Sequence, residues 1–248
     1  MDLGLTSKVA LVTASSKGLG RACAEALARE GAKVVINGRR PEDLARAAQE
    51  IRHVMSIKGA DVHTIAGDIT QPLDIARLLK ATIARFGQLD ILVTNSGGPT
   101  PGKFTDLTER DWQEALDGTL WPAIRLIRQA IPHLQAAQER GGGRIINLVS
   151  TGVKQPIPGL FLSNAIRPAV IGLAKSLSTE FAADGILVNN VCPGFFDPEQ
   201  ATQAIPLGRI GDPRELGHLV AFLASDKASY ITGQTISIDG GLVNTLFG

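Results

Sequence analysis

Seven short runs of Val, Ile, Leu and Ala, at residues 9–13, 34–37, 62–66, 91–94, 145–149, 187–191 and 235–238, are separated by longer segments with helical periodicity. Apolar residues predominate in these runs, most of them without the every-second-residue alternation of a half-exposed strand. Such runs mark strands covered on both faces, and strands of that kind alternating with helices predict a parallel sheet. The expected fold class is α/β, a doubly wound parallel sheet of about seven strands with helices on both faces. Helix punctuation agrees: Thr108 stands three residues before Asp111 in the manner of a capping box, and Asp212, Pro213 and Glu215 supply a cap, a first-turn proline and an acid two residues on. Gly31 and Gly185 are placed as left-handed stops. Neither a repeat, a low-complexity linker nor a shift in composition divides the 248 residues, so a single domain over 1–248 is expected.

Charge excludes two classes of partner. With 25 Lys+Arg against 24 Asp+Glu and no basic block, the chain lacks the electrostatic footprint for nucleic acid or an acidic membrane surface. Apolar runs all fall short of the roughly 18 residues of a spanning helix, and the start MDLGLTSKVALVTASSKGLG has no basic region followed by a continuous apolar stretch. A cytoplasmic protein is expected. Cys23 and Cys192 form no metal or disulfide pattern and read as small buried thiols, so no metal site is expected.

Chemistry enters where the first strand runs through Thr13, Ala14, Ser15, Ser16, Lys17, Gly18, Leu19 and Gly20 into a helix. Strand, glycine-bearing loop and helix in that order form a Rossmann-type phosphate site, with backbone amides and the helix dipole meeting a pyrophosphate. An acid at the end of the second strand would favour NAD through the ribose 2′-hydroxyl; that stretch instead reads Asn37, Gly38, Arg39, Arg40. Arg39, with Lys17 or Arg40, suits a 2′-phosphate, so NADP is the expected cofactor. For Arg40 the alternative is a solvated residue before the helix that Pro41 opens.

Further landmarks follow: Gly67-Asp68-Ile69-Thr70, Asn95-Ser96-Gly97-Gly98, residues 147–150, Pro193-Gly194, Leu207-Gly208-Arg209, residues 229–233 and Asp239-Gly240-Gly241. Together with the phosphate loop they make the chain resemble, nearly end to end, the short-chain dehydrogenases/reductases, in the flavour of the bacterial 3-oxoacyl-acyl-carrier-protein reductases. The resemblance implies that Asp68 and Ile69 flank the adenine, that Asn95, Ser96 and Gly97 line the cofactor, and that Pro193 and Gly194 sit by the nicotinamide. It implies a homotetramer or homodimer built through the helical stretches 111–138 and 163–184, and a small-molecule carbonyl substrate. One departure is Ala14, where the family carries a glycine; binding survives there if the position is extended.

The family's catalytic positions, carried over one at a time, match once. Ser150 is the serine that polarises the carbonyl, but family spacing puts Ser163 at the tyrosine, Arg167 at the lysine and Thr119 at the asparagine. A serine hydroxyl holds its proton far more tightly than a tyrosine, and a guanidinium does not release one in a protein. Tyr230 is the one tyrosine and lies near the last strand, while His53, His63, His133 and His218 read as surface or helix-face residues. Lys154, on the loop after Ser150, is the remaining candidate acid, against a solvated loop lysine. Residues 195–204, opening on Phe195 and Phe196, form an apolar and shortened lid segment. Two readings remain: an NADP(H)-dependent reductase of a 3-oxoacyl-type or related ketone with an atypical site, and a catalytically impaired NADP(H)-binding sensor or assembly protein.

Overall fold

The structure, a computed structural model, describes residues 2–55, 60–197 and 202–246. Among these, strands β1 (Val9–Val12), β2 (Lys33–Gly38), β3 (Asp61–Ala66), β4 (Ile91–Thr94), β5 (Arg144–Leu148), β6 (Leu187–Pro193) and β7 (Thr235–Ile238) form one sheet of order β3-β2-β1-β4-β5-β6-β7. Every pairing is parallel. The order reverses direction between β1 and β4, which leaves a crevice at their carboxyl ends.

Helices α1 (Gly18–Arg29), α2 (Pro41–Val54) and α7 (Pro213–Ala224) cover one face, and α3 (Pro72–Phe86), α5 (Trp121–Gln135) and α6 (Phe161–Glu180) the other. The pleat sorts the residues of β1: Ala10 and Val12 pack with Cys23, Leu27, Ala47 and Val220, whereas Val9 and Leu11 pack with Leu78, Leu126, Leu134 and Ala174. Both sets are fully buried, so a continuously apolar strand is what this position requires. The helix stops at Gly31 (φ 89°) and Gly185 (φ 73°) are left-handed as expected, and both capping boxes form, Thr108 with Asp111 and Asp212 with Glu215.

Several expectations need correction. The stretch 111–138 is not one helix: α4 (Glu109–Ala115) widens into a π turn at Leu116–Leu120 before α5, and a short 3-10 turn at Gln138–Arg140 follows. Pro122 has no N–H to return to the carbonyl of Gly118, so the regular ladder cannot run through. The second long helix spans Phe161–Glu180 rather than 163–184. His63 lies on β3, half-buried and edge-on to Phe86, and not on a helix or open surface. The loops after β4 and β5 are joined to each other by a parallel bridge between Gly102 and Leu160, with Gly102 N–H donating to the Gly159 carbonyl at 2.9 Å.

A polar chain also crosses the buried sheet. Thr94 donates to Asn147 at 2.6 Å, Asn147 to Asn190 at 3.0 Å, and Asn190 to Thr235 at 3.1 Å, one link per strand from β4 to β7. Each group is satisfied by the next, and an unsatisfied buried amide would cost about 1–3 kcal/mol.

Candidate active site

The loop between β1 and α1 divides its side chains between holding the turn and leaving it open. Thr13 Oγ1 donates to the Asn95 carbonyl and accepts from the Asn95 N–H, both at 2.8 Å. Ser15 Oγ donates to the Val12 carbonyl and accepts from the Asn37 N–H. Both hydroxyls are buried and hydrogen-bonded within the chain, and so hold the shape of the loop expected to meet the cofactor. Ser16 and Leu19 are half-buried, and Lys17 and Gly18 are exposed. The condition stated for Ala14, an extended backbone, is not met. Ala14 is left-handed (φ 45°), the conformation a glycine would take, and is held there by its carbonyl accepting from Asn95 Nδ2 at 3.1 Å while Ser15 N–H donates to the Asn37 carbonyl at 2.8 Å.

This loop meets the chemical demands of a pyrophosphate. No side chain caps the first turn of α1 and no acid lies in it, so its free amides and the positive end of its dipole stay open to an anion. A Cβ on Gly18 would meet nothing within 4 Å. On Gly20 it would lie 2.5 Å from the Ala14 carbonyl and 2.7 Å from Asn95 Nδ2, so only glycine lets helix and loop close. At the end of β2, Arg39 is exposed and without an ion pair among the described residues, whereas Arg40 pairs with Asp43. Arg40 is thus engaged and largely solvated, whereas Arg39 and Lys17 are exposed cations without an ion pair among the described residues. Asn37, fully buried, donates to the carbonyls of Ile65 and Gly67 and ties β2 to the segment carrying Asp68. Asp68 accepts from Thr70 N–H at 2.9 Å, and Ile69 faces the neighbouring cavity.

That cavity, about 20 Å³, lies at the carboxyl ends of β4 and β5 and is lined by Thr94, Asn95, Ser96, Thr119, Val149 and Arg167 among others. It has room for about one water among polar neighbours. Ser150 follows Val149, which lines the cavity, and caps a short turn at Thr151–Val153, its Oγ accepting from Gly152 N–H at 3.1 Å and its O–H left to donate. Ser163 is nearly buried at 8% exposure, and its hydroxyl has no partner among the described residues. Arg167, one helical turn on and also 8% exposed, donates from Nη1 to the Val149 carbonyl at 2.8 Å; its Nε is buried without a partner. Burial holds this guanidinium below its ordinary range, with the nearby Cys192 thiol acting weakly against that. Thr119, at the asparagine position, is buried in the π turn.

Cys192 is a small buried thiol, as expected, packed with Val149 and Val170. Burial pushes it up to about 11, against the opposing influence of Lys154, the Ser150 backbone and Arg167. Lys154 is half-buried, following the short turn at Thr151–Val153. Asn164 was missed: it brackets Ile157, accepting from its N–H at 3.2 Å and donating to its carbonyl at 2.8 Å, and so fixes the Ser150 loop to α6. Gly194 packs against Asp239, where an added Cβ would come within 2.7 Å. Of the lid segment, residues 198–201 lie outside the described residues; Phe195 and Phe196 line a second hollow of about 100 Å³ with Leu207, Arg209 and Ile238.

Comparison with known proteins agrees with this geometry. Residues 13–243 match the family described as Enoyl-(Acyl carrier protein) reductase. The chain is 37% identical over 247 residues to the 3-oxoacyl-[acyl-carrier-protein] reductase of Staphylococcus aureus, covering 95% of this chain and 98% of that protein. Among solved structures it is similar to L-sorbose reductase from Gluconobacter frateurii complexed with NADPH and L-sorbose, at 31% identity and a TM-score of 0.91 over 99% of this chain and 100% of the other. It is also similar to a variant of a Serratia marcescens short-chain dehydrogenase/reductase, at 30% identity and a TM-score of 0.89 over 97% and 100% of the two chains.

Proposed function

Since this chain belongs to the short-chain dehydrogenase/reductase family, we propose that it acts as one domain over 1–248 that binds NADP(H) and reduces a 3-oxoacyl-type or related ketone to an alcohol with an atypical site. The observation that carries the cofactor choice is Arg39, an exposed cation just after β2 with no ion pair among the described residues, beside an uncapped helix terminus. The NADPH held by the Gluconobacter reductase supports it. Nicotinamide, when bound, supplies the hydride.

The residues of the chain do the rest. The Ser150 hydroxyl, free to donate, polarises the substrate carbonyl, and Ser163 adds a second donor. Arg167 holds ribose hydroxyls in the place of the family's lysine. The proton comes from water or from Lys154, and loss of a dedicated general acid lowers the rate by about 10²–10⁴-fold. Two free, buried thiols agree with a reducing cytoplasm. The apolar outer faces of α5 and α6 support assembly with further copies of the chain. A second reading, a cofactor-binding sensor with little turnover, is favoured by Ser163 and Arg167 standing where the tyrosine and lysine would.

Fluorescence titration with NADPH and NADH is the test, followed by NADPH oxidation with 3-oxoacyl thioesters, diketones and quinones. Arg39→Ala should weaken NADPH at least about tenfold and leave NADH unchanged, as expected for losing charge-assisted bonds of about 1.5–3 kcal/mol. Equal loss for both cofactors would refute the role of Arg39. Tight NADPH binding with no oxidation by any acceptor would favour the sensor. Unchanged turnover in Lys154→Ala would remove Lys154 as donor.

A further inference from the structure

Arg167 is a charge held inside the site without a counter-ion. It is 8% exposed, no carboxylate pairs with it among the described residues, and its buried Nε has no partner. Nη1 donates to the neutral carbonyl of Val149, which fixes the plane of the guanidinium. A cation taken out of water in this way is relieved by an anion arriving beside it. The ribose hydroxyls assigned to Arg167 above are neutral and leave its charge uncompensated.

The remaining nitrogen shows where an anion enters. Nη2 donates to no group among the described residues and faces the loop after β4: a Cβ built on Gly98 would meet Nη2 at 4.0 Å, and one on Gly97 would meet nothing within 4 Å. Gly97 and Gly98, with Gly118 and Thr119, wall a hollow of about 180 Å³. Asp111 and Glu114 also line it, but both charges are already compensated. Asp111 accepts from the Thr108 N–H and hydroxyl at the start of α4, and Glu114 pairs with Arg110. The chain also ties this nitrogen to the reacting groups. Ser163 lies one helical turn before Arg167 on α6, and Ser150 directly follows the Val149 that Nη1 grips.

We propose that the acceptor is an oxo acid, a carbonyl compound bearing its own carboxylate, and that Arg167 Nη2 selects it; this rests on the reductase reading above and names the substrate class of that site. A guanidinium fixed at Nη1 still offers Nη2 to a carboxylate oxygen in a charge-assisted hydrogen bond. In the reaction the hydride pair of NADPH forms the C–H bond at the carbonyl carbon, and the C=O π pair goes to oxygen. A proton from water or Lys154 completes the O–H, and NADPH leaves as NADP⁺. The carboxylate takes no part in these bond changes.

Two arms test this on the whole protein. In the first, NADPH oxidation is followed with 2-oxohexanoate, 4-oxopentanoate and 5-oxohexanoate, each against its methyl ester, so that the members of a pair share the carbonyl and differ in charge. At one chain length or more the acid should show kcat/KM at least about tenfold above the ester, as for one charge-assisted bond. Arg167→Met should bring that ratio to about one, and Arg167→Lys should retain most of it. Any loss of cofactor affinity common to both members cancels in the ratio, so a role for Arg167 in ribose binding or folding alone would leave it unmoved and overturn the proposal. Esters or other neutral ketones used as well as the acids would also overturn it and leave the reductase reading intact. Oxidation with no acceptor at all would overturn the reductase reading and the substrate class with it. In the second arm, hexanoate, hexanamide and chloride are titrated separately by calorimetry into the NADP⁺-saturated protein in a chloride-free buffer. Hexanoate should bind and hexanamide should not, a comparison that stands on the native protein without any variant. Hexanoate affinity should fall at least about tenfold in Arg167→Met, shown by circular dichroism to be folded. Chloride bound in place of hexanoate, or neither bound, would overturn the carboxylate site.

Discussion

Ala14 occupies a backbone conformation that an L-residue enters only at a cost. Its φ of 45° is left-handed, and the turn keeps that shape because Asn95 Nδ2 and the Asn37 carbonyl hold both sides of it. The left-handed region costs a residue with a Cβ about 1–2 kcal/mol, while glycine loses about 0.5–1 kcal/mol more chain entropy on folding. The balance favours glycine, so Ala14→Gly should stabilise the protein by about 0.5–1 kcal/mol in urea unfolding. A destabilised variant would show that the hydrogen bonds, not strain, dominate at this position. The glycine motif was legible as a loop, but its division of labour was not: whether Thr13 and Ser15 face a ligand or the chain depends on Asn95 and Asn37, which come from other strands. Arg39 and Arg40 are equally opaque as neighbours, and separate only because Asp43 lies one helical turn from Arg40.

Among the elements, α7 shows a terminus read correctly from sequence and carrying a pH signature. Hydrogen bonds from the Arg214 side chain, then its backbone, hold the Asp212 carboxyl at about 2, and Arg209 followed by the Asp212 backbone does the same for Glu215. Carboxyls depressed in the folded state stabilise it above their ordinary values, and that contribution is lost as pH falls toward the folded value. Asp212→Ala should therefore lower Tm at neutral pH by an amount that stays level down to about pH 4.5 and shrinks between about pH 4 and 2. A gap unchanged at pH 2 would show that the cap acts without its charge. Strands and caps were legible because their causes are local, in apolar runs and in residues three apart. The π turn before α5 was not, since it reflects Pro122 one position into the next helix. Nor was the chain from Thr94 to Thr235, whose asparagines sit inside apolar runs and find partners only across the sheet register.

At the scale of the molecule, α5 and α6 connect the site to the surface. Arg167 and Ser163 lie on the inner side of α6, and the π turn with Thr119 leads directly into α5. On their outer side the same helices form an apolar groove of about 290 Å³ lined by Ile124, Ile127, Ile131, Leu173, Leu177 and Phe181. Arg128 and Glu180 stand in it, neither with an ion pair among the described residues. A twofold axis makes a surface its own partner, so one cation and one anion on a self-complementary apolar face supply two reciprocal pairs. A second copy of the chain is the occupant proposed above for this face, and burying it would brace the helices that hold the catalytic positions. Light scattering should find the native protein as a dimer or larger at micromolar concentration and Leu177→Glu as a smaller species. Because the phosphate loop leads into α1, which packs on the opposite face of the sheet, NADPH affinity should survive in Leu177→Glu while turnover falls several-fold. A native protein that is monomeric would refute the assembly, and a dissociated variant with full turnover would refute the bracing.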